Sequence, residues 1–232
     1  HHTISDVALI GGGAQLQPGE VSLAHNGVLF LDEFPEYSKN ALETLRQPLE
    51  DRQISISRAR YNVTLPCSFM LVAAMNPCPC GYYNDPHHPC TCRPGQVQRY
   101  MSRISGPLLD RIDLQVEVVP VSVRELSSAP AGESSAAIRA RVVAARRRQA
   151  ARFADCPGVH CNAQMAARHI KAFVHLDESA HTALEQALDR LGLSARAYER
   201  VLKVSLTLAD LDGVDQITRT HIAEAISYRN LD

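Results

Sequence analysis

The sequence predicts an α/β domain followed by an all-α helical domain, on three observations. Two continuous apolar runs, GVLFLDE at residues 27–33 and SFMLVAAM at 68–75, each lead into polar residues, as buried strands do when a sheet is covered on both faces. Between them lies an alternating pair of short runs, and beyond residue 135 the apolar side chains recur at three- and four-residue intervals, the stripe of packed helices. With 232 residues and 45% hydrophobic content, the chain can fill one large core or two modest ones.

The elements follow in order. Residues 3–26 are glycine-rich without a long helical period, which suits loops around short strands or a short helix. The run at 27–33 reads as a strand. Residues 38–49 (SKNALETLRQPL) place Ala41, Leu42, Leu45 and Leu49 at helical spacing, with Ser38 as cap. Residues 53–65 alternate about Arg58, Ala59 and Arg60, as a β-hairpin does. The run at 68–75 is a second strand, and the alternation QVEVVPV from Leu114 predicts a third. The small polar stretch SSAPAGESS at 127–135 reads as a linker and domain boundary. Helices are then expected over 136–153, 163–173, 177–191, 194–211 and 218–228. There is no internal repeat.

Composition excludes several classes. No apolar run approaches the roughly 20 residues that cross a bilayer, and the first residues, HHTISDVALIGGG, lack the form of a signal peptide. A cytoplasmic protein is inferred. A formal net charge of -1 gives no general basicity, so contact with nucleic acid would depend on local arginine clusters. Seven cysteines, an odd number, do not form a secreted disulfide framework.

The chemistry concentrates at strand ends. Two adjacent carboxylates closing an apolar strand are the Walker B arrangement, in which Asp32 would hold Mg²⁺ through water and Glu33 would position or deprotonate the attacking water. The alternative is a buried strand ending in a polar turn. Asn76 closes the neighbouring apolar run, where an amide could orient that water or contact the γ-phosphate; alternatively it starts a turn before Pro77. In SGPLLDRID, at 105–113, Arg111 follows a short helix and could reach a neighbouring subunit's nucleotide, or else pair with Asp110 or Asp113. Arg196, in LSARAYERVLK, could contact phosphate from the first turn of a helix, with Arg200 near enough to compete and a solvated helix arginine as the bland reading.

Together HHTIS, ALIGGG, PGEVSLAHNGVLFLDEFPE, LRQPLED, ISISRA, LVAAMNPCPCGYY and SRISGPLLDRIDL resemble the magnesium-chelatase-like AAA+ ATPases of the ComM (YifB) type, over nearly the whole chain. The resemblance implies a hexameric, ring-forming ATPase that uses ATP and Mg²⁺ and moves on DNA to drive branch migration. It implies an AAA+ core over 1–126 with a helix-2 insert at 3–24, a pre-sensor-1 hairpin at 53–65 and a helical lid within 136–232. By that likeness Asp32 and Glu33 are Walker B, Asn76 is sensor 1, Arg111 the arginine finger and Arg196 sensor 2.

One departure stands out. No G-x-x-x-x-G-K-[ST] occurs in the 232 residues, and Gly11 to Gly13 precede no lysine. The family's architecture places that loop and its strand ahead of His1, so the chain reads as a carboxy-terminal piece. Lacking the phosphate cradle, it is expected neither to bind ATP tightly nor to hydrolyse it. The strand missing from the sheet would leave two edges open, which favours disorder there or pairing between copies.

Two further groups carry expectations. Cys78, Cys80, Cys90 and Cys92, flanked by His87 and His88 within a Cys-rich loop at 78–92, supply enough soft ligands for a structural Zn²⁺. One histidine could replace a cysteine; free thiols and disulfides are the other readings. Arg52, Arg58 and Arg60 cluster on or near the hairpin and would track DNA phosphates, or form an ordinary solvated surface. Arg139, Arg141, Arg146, Arg147, Arg148 and Arg152 read as a solvated helix face. The rival functions are a chelatase-type motor acting on a protein partner, and a non-enzymatic zinc-containing DNA-binding or assembly module.

Overall fold

The computed structural model describes residues 2–13, 17–58, 61–119, 121, 132–191 and 194–229. They form two compact units, His1–Ile112 and Asp113–Asp232. Much of the expected linker, residues 127–131, lies outside the described residues.

The first unit opens with α1 (Asp6–Ile10), capped where the Ala8 N–H donates to Ser5 Oγ at 3.1 Å. β1 (Gly11–Gly12) and β2 (Gln17–Pro18) pair antiparallel, and α2 (Glu20–Leu23) follows. Gly11 has φ 105, and a Cβ there would meet Gly19 N at 2.7 Å, so only glycine closes this turn.

β3 (Val28–Leu31) pairs in parallel with β6 (Met70–Ala73), from Val28 opposite Met70 to Leu31 opposite Ala73. Between them α3 (Lys39–Thr44) begins at Ser38, whose Oγ accepts from Ala41 N–H at 3.0 Å. The helix breaks at Leu45 and resumes as α4 (Arg46–Asp51). Pro48 explains the break, because it has no N–H for the Thr44 carbonyl. β4 (Gln53–Arg58) and β5 (Tyr61–Pro66) form an antiparallel hairpin in the expected place, and Ile54 and Ile56 are buried on one face. Two short helices, α5 (Gln96–Met101) and α6 (Gly106–Leu109), complete the unit. Leu29, Leu31, Phe34, Leu42, Leu45 and Leu108 belong to one buried cluster.

Two sequence expectations require correction. The β3–β6 sheet is covered on one face only among the described residues: Leu29 and Leu31 are buried, whereas Phe30 is 58% and Met70 59% exposed. The apolar run predicted coverage on both sides, but the helices that follow β3 pack on one. Residues 114–119 form no strand, and Val116 and Val118 stand exposed. Alternation makes a strand only where a neighbour completes its ladder, and among the described strands β3 and β6 pair only with each other. Gln115 N–H instead donates to the Tyr228 carbonyl at 2.7 Å.

The second unit is helical, as its periodicity predicts. α7 (Ser135–Arg152), α8 (Ala167–Phe173), α9 (Glu178–Leu191), α10 (Ala195–Asp212) and α11 (Arg219–Ser227) surround Phe153, Met165, Leu184, Val201, Leu206, Ile217 and Ile222. Ser194 caps α10 by accepting from Ala197 N–H at 3.2 Å, and Gly213 at φ 75 ends it. Among the described residues, no helix is long and apolar enough to cross a membrane.

A buried polar network ties α7 to α10. Asp210 is 1% exposed. It accepts from Arg152 through both oxygens, at 2.7 and 2.5 Å, and from Asn162 Nδ2 at 2.8 Å. Arg148 lies 3.5 Å from the same carboxylate and also pairs with Asp215. Arg148 and Arg152 therefore do not belong to the solvated face that the sequence suggested; a carboxylate on another helix draws them inward. Burial alone would raise the Asp210 carboxyl, but the hydrogen bonds from Arg152 and Asn162 hold it below its ordinary value.

Removing one partner of such a pair leaves a buried charge uncompensated. Asp210→Ala and Arg152→Ala are each expected to lower stability by about 3 kcal/mol or more in denaturant titration. The sign for pH follows from the lowered carboxyl: its stabilisation is complete above the ordinary value of about 3.9 and is lost as pH falls through the lower folded value. Asp210→Asn is expected to flatten that acid limb.

Candidate functional site

The parallel ladder continues past β3 and β6 for one more step. Ala74 N–H donates to the Leu31 carbonyl at 2.9 Å, and Phe34 N–H to the Ala74 carbonyl at 3.0 Å. This clamps the Asp32–Glu33 step against the chain leading to Asn76, so these three exposed polar residues emerge at one end of the sheet.

Glu33 occupies the left-handed region, φ 53 and ψ 44. A non-glycine residue there costs about 1 kcal/mol, and such strain recurs where function fixes the backbone. Its own N–H donates to Asp32 Oδ1 at 2.9 Å, which holds the turn into the 3-10 turn Phe34–Glu36. Glu33 Oε2 lies 2.5 Å from His2 Nδ1. Tyr37, 3% exposed, has a buried hydroxyl that finds no hydrogen-bond partner among the described residues. Burial first, then the charges of Asp32 and Glu33, push that hydroxyl above its ordinary value, so both carboxylates act on it.

Arg111 sits elsewhere. Its side chain is 7% exposed, pairs with Glu50 at the end of α4 and donates to the Pro107 carbonyl at 2.7 Å. The sequence offered Asp110 or Asp113 as ion-pair partners; folding supplies Glu50, 61 residues away. In the helical unit Arg196 is exposed in the first turn of α10, while Arg200 pairs with Asp113.

Arg52 and Arg58 stand at opposite ends of β4. Arg52 precedes β4 at φ 54, at the base of the ladder, and Arg58 lies opposite Tyr61 beside the turn. The strand between them spans roughly 20 Å. Arg60 lies outside the described residues.

The four cysteines come together. Cys78 Sγ is 3.3 Å from Cys80 Sγ and 3.8 Å from Cys90 Sγ, Cys80 is 3.5 Å from Cys90, and all four sulfurs lie within 4.8 Å of one another. A tetrahedral ion with bonds of about 2.3 Å spaces its sulfurs by about 3.8 Å, so the set fits a metal. The separations exceed the roughly 2.05 Å of a disulfide. Among the described residues no histidine joins the group: His88 faces Asp85 at 3.4 Å and the Tyr82 ring at 5.0 Å. The loop closes through Asp85 Oδ1, which accepts from His87 and His88 N–H at 2.7 and 2.8 Å, and through Asn84 at φ 62. The Tyr82 backbone N–H is the main cause that draws the Cys80 thiol down to about 5, whereas desolvation pushes Cys92 up to about 12. The set therefore offers a ready thiolate ligand.

Residues 1–126 match the family model for magnesium chelatase, subunit ChlI, and residues 132–229 match that for the C-terminal part of the same subunit. The chain belongs to the magnesium chelatase ChlI family. Similar proteins include YifB of Escherichia coli (strain K12), 48% identical over 100% of this chain and 45% of its own length. Competence protein ComM of Haemophilus influenzae is 46% identical over 99% of this chain and 44% of its own. Probable DNA helicase MCM9 of Arabidopsis thaliana is 30% identical over 45% of this chain and 14% of its own. The chain thus spans a little under half the length of the YifB and ComM relatives it matches. Family membership makes it an AAA+ ATPase-like protein, a class that uses ATP with Mg²⁺ and whose members typically oligomerise.

The sequence pointed to Asp32, Glu33, Asn76, Arg111 and the cysteines, but not to His2 and Tyr37 beside Glu33 or to Glu50 beside Arg111. His2 was visible only as part of HHTIS, and no local period signals a partner 31 residues away. Tyr37 follows Glu33 closely in DEFPEY, the one hint that a hydroxyl lies near the acids.

Proposed function

We propose that this chain supplies the hydrolytic side of an ATP-driven, ring-forming motor that remodels DNA. The observation that carries the reading is the joint emergence of Asp32, Glu33 and Asn76 at one end of a parallel sheet. When bound, ATP with Mg²⁺ supplies the phosphoryl group that is transferred to water. Asp32 holds the metal's water shell, Glu33 orients or deprotonates the attacking water, and Asn76 donates its amide to that water or the γ-phosphate. Arg111 serves a neighbouring subunit's nucleotide; to do so its guanidinium must leave Glu50, a trade of one anion for another. Arg196 is the residue proposed to contact phosphate from the helical unit, with Arg200, which pairs with Asp113, near enough to compete.

The 232 residues contain no Walker A lysine. The phosphate cradle is proposed to lie in the portion of the relatives that this chain does not span, and the chain by itself to be inactive. DNA as partner rests on the helicase named among the relatives and on Arg52, Arg58 and Arg60 of the hairpin region. A hexamer is the expected ring, and the four cysteines are proposed to hold a structural Zn²⁺ that clips the loop at 78–92.

ATP hydrolysis by the full-length polypeptide, with and without DNA, tests the reading. DNA-stimulated turnover is expected; turnover indifferent to DNA would favour a chelatase-type motor acting on a protein, and no turnover a non-enzymatic zinc module. Glu33→Gln is expected to reduce kcat by about 100-fold or more while ATP affinity stays within a few-fold, because only the proton-accepting carboxylate is lost. Metal analysis is expected to find one zinc per chain, and Cys78→Ser to release it and lower the melting temperature; zinc-free protein of full stability would contradict the clip.

A further inference from the structure

His2 stands outside the motifs to which chemistry was assigned, yet its imidazole contacts the Glu33 carboxylate directly. Its Nδ1 lies 2.5 Å from Oε2. An ionised carboxylate only accepts, so the imidazole nitrogen carries the proton in this contact. Both groups are partly open, with side-chain exposures of 30% and 50%, so the pairing is not forced by burial. It is a specific cross-link between a segment before α1 and the turn after β3.

We propose that His2 is a positioning residue for Glu33, fixing one carboxylate oxygen so that the other faces the attacking water. The inference rests on the reading of Glu33 as base. A glutamate side chain has three rotatable bonds, and a general base works only within about 2.6–3.2 Å of the proton it takes. The backbone already fixes where the side chain starts, through the left-handed turn at Glu33 and the Asp32 Oδ1 bond to its N–H. Neither of these restrains the carboxylate itself. The Asp32 carboxylate is occupied with the backbone, and the Tyr37 hydroxyl is buried without a partner among the described residues. Among the described residues His2 is therefore the group placed to orient the carboxylate. Misplacement by about 1 Å costs on the order of 100-fold in rate, enough for one hydrogen bond upstream of the strand to govern turnover.

The test uses the full-length polypeptide and four variants: His2→Ala, His2→Gln, Glu33→Gln and the His2→Ala/Glu33→Gln double. His2→Ala is expected to lower kcat by about 10- to 100-fold with the ATP dissociation constant and KM within about three-fold. His2→Gln, which can still donate an N–H, is expected to recover most of that loss. In the double variant the loss is expected to equal that of Glu33→Gln alone. A second readout needs no turnover: amide exchange over residues 32–37, without nucleotide, is expected to quicken in His2→Ala and to return toward the parent rate in His2→Gln. Unchanged kcat and unchanged exchange in His2→Ala overturn the proposal, as do equal losses in the alanine and glutamine variants. Should Glu33→Gln retain full turnover, the assignment of Glu33 fails instead, and the exchange data alone then decide whether His2 holds the turn.

Discussion

The parallel pairing of β3 with β6 is the constraint on which the rest of the first unit depends. Leu29 and Leu31 enter the core from the same face, which fixes the register, because a slip by one residue would turn Phe30 inward and both leucines out. With Leu31 set opposite Ala73, the next residues of the two strands leave the sheet together. Asp32, Glu33 and Asn76 are neighbours for that reason, although more than forty residues of helix and hairpin separate them in sequence. The left-handed turn at Glu33 is the cost of this geometry, and the bond from its N–H to Asp32 offsets part of it.

The same strand end also launches the cysteine loop. Cys78 is fully buried two positions after Asn76, so the loop's first sulfur is anchored to the unit while the other three close around it. Such a loop, with Gly81 and Asn84 at left-handed φ and few apolar side chains, gains little from hydrophobic burial and much from a clip. In the helical unit the tie is electrostatic: Asp210 on α10 collects Arg152 and Asn162, which holds the helix that carries Arg196 and Arg200.

Much of this was legible locally. The helices of the second unit follow from stripes with a period near 3.6, the hairpin from alternation, and the two apolar strands from continuous apolar runs that lead into polar residues. Ser38 announced its helix because a cap needs only the next three residues. The failures are non-local. Residues 114–119 alternate as a strand does, but a strand exists only with a partner, which their own sequence cannot supply. Arg148 and Arg152 look like surface charges until α10 presents Asp210, and Arg111 meets Glu50 rather than an adjacent aspartate because the fold returns α4 to it. His2 escaped for the same reason: topology selects its partner. The single helix expected over 38–49, by contrast, breaks at Leu45 for a local reason, because Pro48 has no N–H for the Thr44 carbonyl.

The central claim is that the end of β3 and β6 is where a nucleotide's metal sits. It is tested most directly by diffraction from the full-length polypeptide with a non-hydrolysable ATP analogue and Mn²⁺, collected at the manganese edge. The account requires an anomalous peak one water away from the Asp32 carboxylate, beside Glu33 and Asn76, and its loss in Asp32→Ala. A manganese peak with ordered nucleotide elsewhere, and unaltered by Asp32→Ala, would contradict it.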